Sequence, residues 1–120
     1  MFRKSILYIQ VFPDHFAARV VGEDKRVRRD CHALDNARGD PDFSKIRETL
    51  RSLVKDLVPG FSLRKPTALL HFIPEHYQPT QRQLELFKST AEQSGISPCW
   101  LSKWESPNTD RELANAFRAL

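Results

Sequence analysis

The residues whose side chains are best suited to catalysis or ligand binding lie in and directly after one short apolar run, residues 67–74. His71 lies within this run, and Glu75 and His76 directly follow it. Helical zinc motifs place two histidines one turn apart on the same helical face. His71 and His76 are five residues apart with Pro74 between them, so they do not share a helix. The spacing favours a partly buried strand histidine beside a polar loop over a metal site.

The loop after this run is still the place where a ligand is most readily accommodated. Open α/β sheets bind ligands in crevices beyond the carboxyl ends of their strands. If a pocket lies there, we expect Glu75, His76 and Tyr77 at its rim. Glu75 and His76 are therefore candidate ligand-binding residues, but their spacing predicts neither a metal nor a cofactor.

The side chains that could act as nucleophiles lack the neighbours that activate them. The two cysteines, Cys31 and Cys99, form no Cys-x-x-Cys pair. Cys31 and His32 are adjacent, so on a strand their side chains point to opposite faces. No Gly-x-Ser-x-Gly elbow marks a nucleophilic serine. We therefore predict two free thiols, no catalytic residue and a protein that is not an enzyme.

The densest basic cluster of the sequence consists of Lys25, Arg26, Arg28 and Arg29. On a strand, Arg26 and Arg28 share one face and Arg29 lies on the other. Charged residues on an edge strand protect a sheet from edge-to-edge aggregation, and this interpretation is favoured. Contact with phosphate or nucleic acid is the second interpretation, and contact with a protein is the third.

Two tryptophans form a further candidate contact surface. Trp100 and Trp104 are four residues apart and therefore face the same side of a strand. Tryptophans in this position most often cover the core. On an edge strand they can instead anchor a protein partner or a homodimer, because tryptophan is enriched at interface hot spots. Both interpretations stay open.

The composition is that of one globular domain spanning residues 1–120. Hydrophobic residues make up 40% and charged residues 28% of the 120 residues, which are ordinary values. The net charge of +4 mildly favours acidic partners. The apolar start resembles a signal peptide but is interrupted at Gln10 and Pro13. Since no apolar run reaches about 18 residues, we predict a cytoplasmic protein without a membrane span.

Alternation and turn residues predict five strands. Gly22 and Pro13 mark turns that separate three of them, and the apolar run forms a fourth that is buried on both faces. The predicted strands are residues 5–12, 16–21, 26–34, 67–73 and 96–104.

Apolar residues at spacings of three and four predict three helices. Asp40 caps the first, Pro41 opens it and Pro59–Gly60 end it. Its inner stripe is Phe43, Ile46, Leu50, Leu53 or Val54, and Leu57. The second begins at Pro79–Thr80, ends at Ser94–Gly95 and buries Leu84, Phe87 and Ala91. The third begins at Ser106–Pro107 and carries Leu113, Ala116, Phe117 and Leu120.

The predicted element order is β-β-β-α-β-α-β-α. Right-handed crossovers place the fourth and fifth strands parallel to the first. The fold class is therefore α/β (α+β), a mixed five-stranded sheet of order 3-2-1-4-5 with helices on its faces.

This order resembles the ribonuclease-H-like half-domain of actin-like ATPases. Residues 6–105 are most similar to the bacterial rod-shape-determining actins. The similarity lies in the run Leu69–Pro74, the segment Gln78–Leu84 and the helix exit Ser94–Ile96. The chain also resembles small enterobacterial proteins linked to stress responses, a group without an established activity. That similarity includes the start Leu7–Gln10, the length and the element order.

The actin-like resemblance implies a phosphate-binding turn after the first strand, with an Asp followed by a Gly. Here Gln10 stands in place of the Asp and Phe12 in place of the Gly. Pro13 also removes a backbone N–H donor. The resemblance thus implies that the nucleotide site is lost. Asp14 either forms an Asx-turn or binds a metal ion in a shifted position, which makes it a third candidate ligand-binding residue beside Glu75 and His76.

These observations favour a non-catalytic binding or regulatory module for an unknown protein partner, linked to stress or cell shape through the resemblances. Its contact residues would be Trp100 and Trp104, or Arg26, Arg28 and Arg29. Two alternatives are a degenerate actin-like nucleotide-binding half-domain and a weak nucleic-acid binder that uses Lys25–Arg29.

Overall fold

The computed structural model describes residues 5–58 and 65–103. The strands are β1 (Ile6–Val11), β2 (His15–Val20), β3 (Arg26–Asp30), β4 (Thr67–Phe72) and β5 (Cys99–Ser102). The helices are α1 (Phe43–Leu57), α2 (Gln81–Gln93) and a short 3-10 helix, His32–Leu34. Pro59–Gly60, Trp104 and the predicted third helix lie outside the described residues.

The strands form one mixed sheet in the order β3-β2-β1-β4-β5. β2 pairs antiparallel with both β1 and β3, whereas β4 runs parallel to β1 and β5 runs parallel to β4. Every residue of β4 is buried, as expected for a central parallel strand. The predicted sheet order and strand directions are confirmed.

Both described helices lie on the same face of the sheet. Their buried residues join one core with Leu7, Ile9 and Val11 of β1 and with Ala68, Leu70 and Phe72 of β4. We expected helices on the faces of the sheet, and the two described helices occupy one face. The reason is that the steps from β1 to β4 and from β4 to β5 run in the same direction across the sheet. Crossovers of one hand that step in one direction place their helices on one face.

β3 is shorter than predicted. It ends at Asp30, and residues 32–34 form the 3-10 helix, so the predicted strand over 26–34 is wrong at its end. The strand stops because β2 begins at His15, which pairs with Asp30. Beyond that point only the N–H of Cys31 still donates, to the carbonyl of Asp14 at 2.7 Å. The turn that follows buries Leu34 in the core.

The start of α1 also differs from the prediction. Asp42, and not Asp40, caps the helix, and its carboxylate accepts a hydrogen bond from the N–H of Lys45 at 3.4 Å. The carboxylate of Asp40 instead accepts hydrogen bonds from Arg82 and Gln83 of α2. Asp40 thereby connects the loop before α1 to the start of α2 through these hydrogen bonds. The predicted apolar stripe is confirmed, with Leu53 rather than Val54 fully buried.

α2 begins and ends where the sequence predicts. Thr80 caps it, and Thr80 and Gln83 form a reciprocal capping box. At the other end the N–H of Ile96 donates to the carbonyl of Ala91, and that of Gly95 to Glu92, which is a Schellman motif. Because Ile96 belongs to this cap, β5 begins only at Cys99, and the prediction of a strand over 96–104 is wrong at its start.

Among the described helices, none is long and apolar enough to cross a membrane.

Three ionisable side chains, Cys31, Tyr77 and Cys99, belong to the described core. Cys31 and Cys99 are both free thiols. Burial, reinforced by the negative charge of Glu92, raises the pKa of the Cys99 thiol to about 12. Burial also raises the pKa of the Tyr77 hydroxyl, which donates a hydrogen bond to the carbonyl of Leu34. The Cys99 thiol and the Tyr77 hydroxyl both stay protonated in the folded protein at neutral pH.

This burial predicts a loss of stability at alkaline pH. The unfolded thiol ionises near its ordinary value of 9.0 and the folded thiol only near 12. Above about pH 9 the unfolded state therefore holds fewer protons, and the free energy of unfolding falls as pH rises. From about pH 8 to about pH 10.5, Cys99 alone should contribute a loss of about 2 kcal/mol.

The measurement is urea unfolding at both pH values for the wild type and for Cys99→Ala. The variant should lose about 2 kcal/mol less than the wild type over this interval. Equal losses in the two proteins would contradict the burial of the Cys99 thiol as a source of alkaline destabilisation.

Candidate functional site

The sheet face opposite α1 and α2 carries two rows of paired side chains that run across all five strands. The register defines both rows. The first row is Arg26, Arg19, Tyr8, Leu69 and Trp100. The second row is Arg28, Ala17, Gln10, His71 and Ser102. The cationic ends of both rows meet on β2 and β3.

At these cationic ends lies a shallow cavity of about 230 Å³. We call it the arginine pocket and define it by Arg19, Arg26, Arg28, Tyr8 and Gln10, which line it. The guanidinium carbon of Arg19 lies 5.0 Å from the centroid of the Tyr8 ring, a cation–π distance. Tyr8 itself is 3% exposed, so its ring serves as the floor of the pocket.

Positive charge is concentrated in the arginine pocket. Arg19 and Arg26 are direct cross-strand neighbours, and like charges in that position destabilise a strand pair. Burial and the charge of Arg26 lower the pKa of Arg19. An anion beside the exposed guanidinium groups of Arg26 and Arg28 could bond to them in a bidentate manner, as carboxylate and phosphate do with arginine.

The three arginines of β3 differ in their ion pairs. Arg28 pairs with Asp30 at 3.3 Å, and both side chains are largely exposed, so this pair holds Arg28 only weakly. Arg26 has no ion-pair partner within the described part of the chain. Arg29 lies on the opposite face and forms an ion pair with Asp56 of α1.

The predicted basic cluster is thus divided by the strand. Arg26 and Arg28 share a face and Arg29 lies on the other, as predicted. The sequence pattern did not single out Arg19, which the β2–β3 register places beside Arg26. The alternation within β2 was a usable signal for its face, but only the register shows which strand residue it opposes.

His71 is a fully buried strand residue, whereas the sequence predicted partial burial. Its Nδ1 atom shares a hydrogen bond with the hydroxyl of Tyr8. The neighbouring residue in the row, Ser102, is also buried, and its hydroxyl has no hydrogen-bond partner among residues 5–58 and 65–103. His71 therefore belongs to the interior of the sheet, and His76 lies beyond the strand end in an exposed turn.

The candidate ligand-binding residues Asp14, Glu75 and His76 lie beyond the carboxyl ends of β1 and β4. The carboxylate of Asp14 bonds to the ring of His15 at 2.6 Å, and this bond lowers the pKa of Asp14. Phe12 stacks on His15, with ring centroids 4.4 Å apart, and its centroid is 5.0 Å from that of His76. Glu75 is exposed.

The side chains that meet at this end of the sheet are therefore the packed rings of Phe12, His15 and His76. Over residues 5–58 and 65–103, no three His, Cys, Asp or Glu side chains are grouped closely enough to hold a metal ion. Tyr77, which we expected at a pocket rim, is buried and bonded to the backbone of Leu34.

Trp100 lies at the far end of the first row, on the edge strand β5. It is 39% exposed, and four strand spacings, roughly 19 Å, separate it from Arg26. Its interpretation as an anchor for a partner or for a homodimer stays a prediction. The arginine pocket and Trp100 are too far apart to form one small-ligand site.

Comparison of the chain with models of protein families and with curated proteins found no match.

The buried hydroxyl of Ser102 in the second row leads to a prediction about stability. In the described part of the chain the buried hydroxyl of Ser102 has no hydrogen-bond partner, so its replacement by Ala removes a desolvated polar group. Ser94 is equally buried, but its hydroxyl donates to the carbonyl of Thr90 at 2.8 Å. We expect Ser102→Ala to raise the free energy of unfolding by up to about 1 kcal/mol and Ser94→Ala to lower it by about 1 kcal/mol.

Chemical denaturation of the three proteins at neutral pH measures both effects. Both substitutions remove one hydroxyl oxygen from a buried site. Opposite signs of the two changes in the free energy of unfolding would therefore report the contribution of the Ser94 hydrogen bond. A loss of stability in Ser102→Ala as large as that in Ser94→Ala would show that the hydroxyl of Ser102 is satisfied.

Proposed function

We propose that this chain is a non-catalytic binding module that holds an acidic protein partner at the arginine pocket. The observation that carries the proposal is the convergence of Arg19, Arg26 and Arg28 around one cavity. Arg26 and Arg28 are exposed at the sheet edge, where an incoming carboxylate can reach them. Arginine pairs with carboxylates through two parallel hydrogen bonds.

The state of the potential nucleophiles supports a role without catalysis. The thiol of Cys99 is buried and its pKa is raised, so it holds its proton, whereas a nucleophilic cysteine needs a lowered pKa. The hydroxyl of Tyr77 is bonded to the backbone. His71 is closed to solvent and could not reach a substrate at the surface.

An acidic protein fits the pocket better than a nucleic acid does. Proteins that bind single-stranded nucleic acid offer exposed aromatic rings on which the bases stack. The aromatic ring of the arginine pocket belongs to Tyr8, which is 3% exposed. Trp100, which is exposed, lies at the opposite edge of the sheet.

The degenerate nucleotide-binding half-domain is the weaker alternative. In the turn after β1 the ring of Phe12 packs against His15 and His76, at the position where the actin-like resemblance implies a glycine. We nevertheless infer a ribonuclease-H-like half-domain as the fold, because the sheet order 3-2-1-4-5 matches it. A role in stress or cell shape, which the resemblances imply, and the cytoplasmic location expected from the sequence are part of the same proposal.

The experiment measures binding of a fluorescein-labelled oligoglutamate peptide by fluorescence anisotropy. Arg26→Ala and Arg28→Ala should each weaken binding by about threefold to tenfold. Arg29→Ala is the matched control, since it removes the same charge from the other face of the same strand, and its affinity should stay within about twofold of the wild type. Binding should also weaken as the salt concentration rises.

Two results would contradict the proposal. One is an equal loss of affinity in all three variants, which would show that only net charge matters. The other is tighter, equally arginine-dependent binding of a random single-stranded oligonucleotide of matched charge, which would favour the nucleic-acid alternative.

A further inference from the structure

Within residues 5–58 and 65–103, the outer side of β3 presents a row of backbone hydrogen-bonding groups with no strand beside it. β3 is the last strand of the described sheet. The N–H of Val20 donates to the carbonyl of Lys25, and that of Cys31 donates to Asp14. In an antiparallel pair, hydrogen-bonded positions alternate. Val27 and Arg29 therefore point their backbone groups at β2, while those of Arg26, Arg28 and Asp30 point outwards.

The residues with outward backbone groups are also those whose side chains line the cationic face. Arg26 and Arg28 are exposed and belong to the arginine pocket. The carbonyl of Arg28 has one contact, with Nη1 of Arg29 at 3.3 Å, which is weak enough to be exchanged. An added strand would place its alternate side chains about 5 Å from Arg26 and Arg28 on the same face.

Charge selects the kind of strand that can pair here. A second copy of this chain would bring its own Arg26 and Arg28 against this edge, and like charges directly opposite each other are destabilising. A segment with Asp or Glu at two alternate positions would instead form cross-strand ion pairs. The residue between the two acids would lie beside Val27, which is partly buried against the core, so an apolar, β-branched residue fits there.

We infer that the free edge of β3 takes an extended acid–apolar–acid segment of a protein partner as an additional strand. The inference rests on the proposed function and adds the mode of recognition to it. Main-chain hydrogen bonds to Arg26 and Arg28 supply part of the affinity, and the two guanidinium groups select the acids. The third outward residue, Asp30, disfavours a further acid opposite it.

The test uses three synthetic peptides of equal net charge and the full chain. The first alternates Glu and Val, and the second has the same composition with the glutamates consecutive. The third repeats the first with N-methyl groups on alternate amides, which removes hydrogen-bond donors without altering the side chains. The first should bind about tenfold more tightly than either of the others.

Amide hydrogen exchange followed by NMR supplies an independent readout. On binding of the alternating peptide, exchange at the N–H groups of Arg26 and Arg28 should slow by at least about tenfold. The N–H groups of Val27 and Arg29 already bond to β2 and should change little. Purely electrostatic binding would leave this alternating pattern of protection absent.

Each outcome separates the mode of recognition from the function on which it rests. Equal affinity for the three peptides, with Arg26 and Arg28 still required and their amide exchange unchanged, would overturn strand addition and leave the proposed function standing. Failure of all three peptides to bind would overturn both. Arginine-dependent binding that protects the Trp100 edge instead of β3 would also overturn the inference.

Discussion

The pairing of β1 with β4 is the constraint on which the rest of this structure depends. It joins the antiparallel hairpin strands to the parallel half of the sheet, in which β4 is central and every one of its residues is buried. From β1 the chain then steps towards β5 without reversing direction. Because crossovers of one hand repeat on one side, α1 and α2 share a face, and the other face is left with the paired rows of polar and aromatic side chains.

Because both described helices lie on one face of the sheet, the two faces of β3 have different surroundings. On the helix side, Arg29 is held by Asp56 of α1 and Val27 packs against the core. On the other side, Arg28 pairs only with the exposed Asp30 of the same strand, among the described residues, and Arg26 and Arg28 line the arginine pocket together with Tyr8. A strand at the edge of a sheet is thus fixed by one face and available through the other, which is the condition under which a binding surface can be rigid and still accessible.

Local signals and connection rules predicted the elements and the order of the strands, whereas the residue-by-residue register of the strand pairs did not follow from them. The apolar stripe of α1 and the capping box of α2 depend on residues three and four apart, so the sequence alone locates them. The end of β3 depends on where β2 begins. The alternation of apolar and charged residues continues through Cys31 and Ala33 and therefore does not indicate this end. Arg19 entered the candidate site only through the register, which the turn at Gly22 with its positive φ helps to set.

Edge protection and selective binding need not be competing explanations of the basic strand. Charges on an edge strand prevent pairing with an identical edge, because the same charges then face one another. The repulsion is specific to that partner: it becomes attraction for a strand of opposite charge, while the outward backbone groups of Arg26 and Arg28 are unchanged. The arginines that keep this sheet from pairing with itself are therefore the same groups that define which foreign strand it can accept.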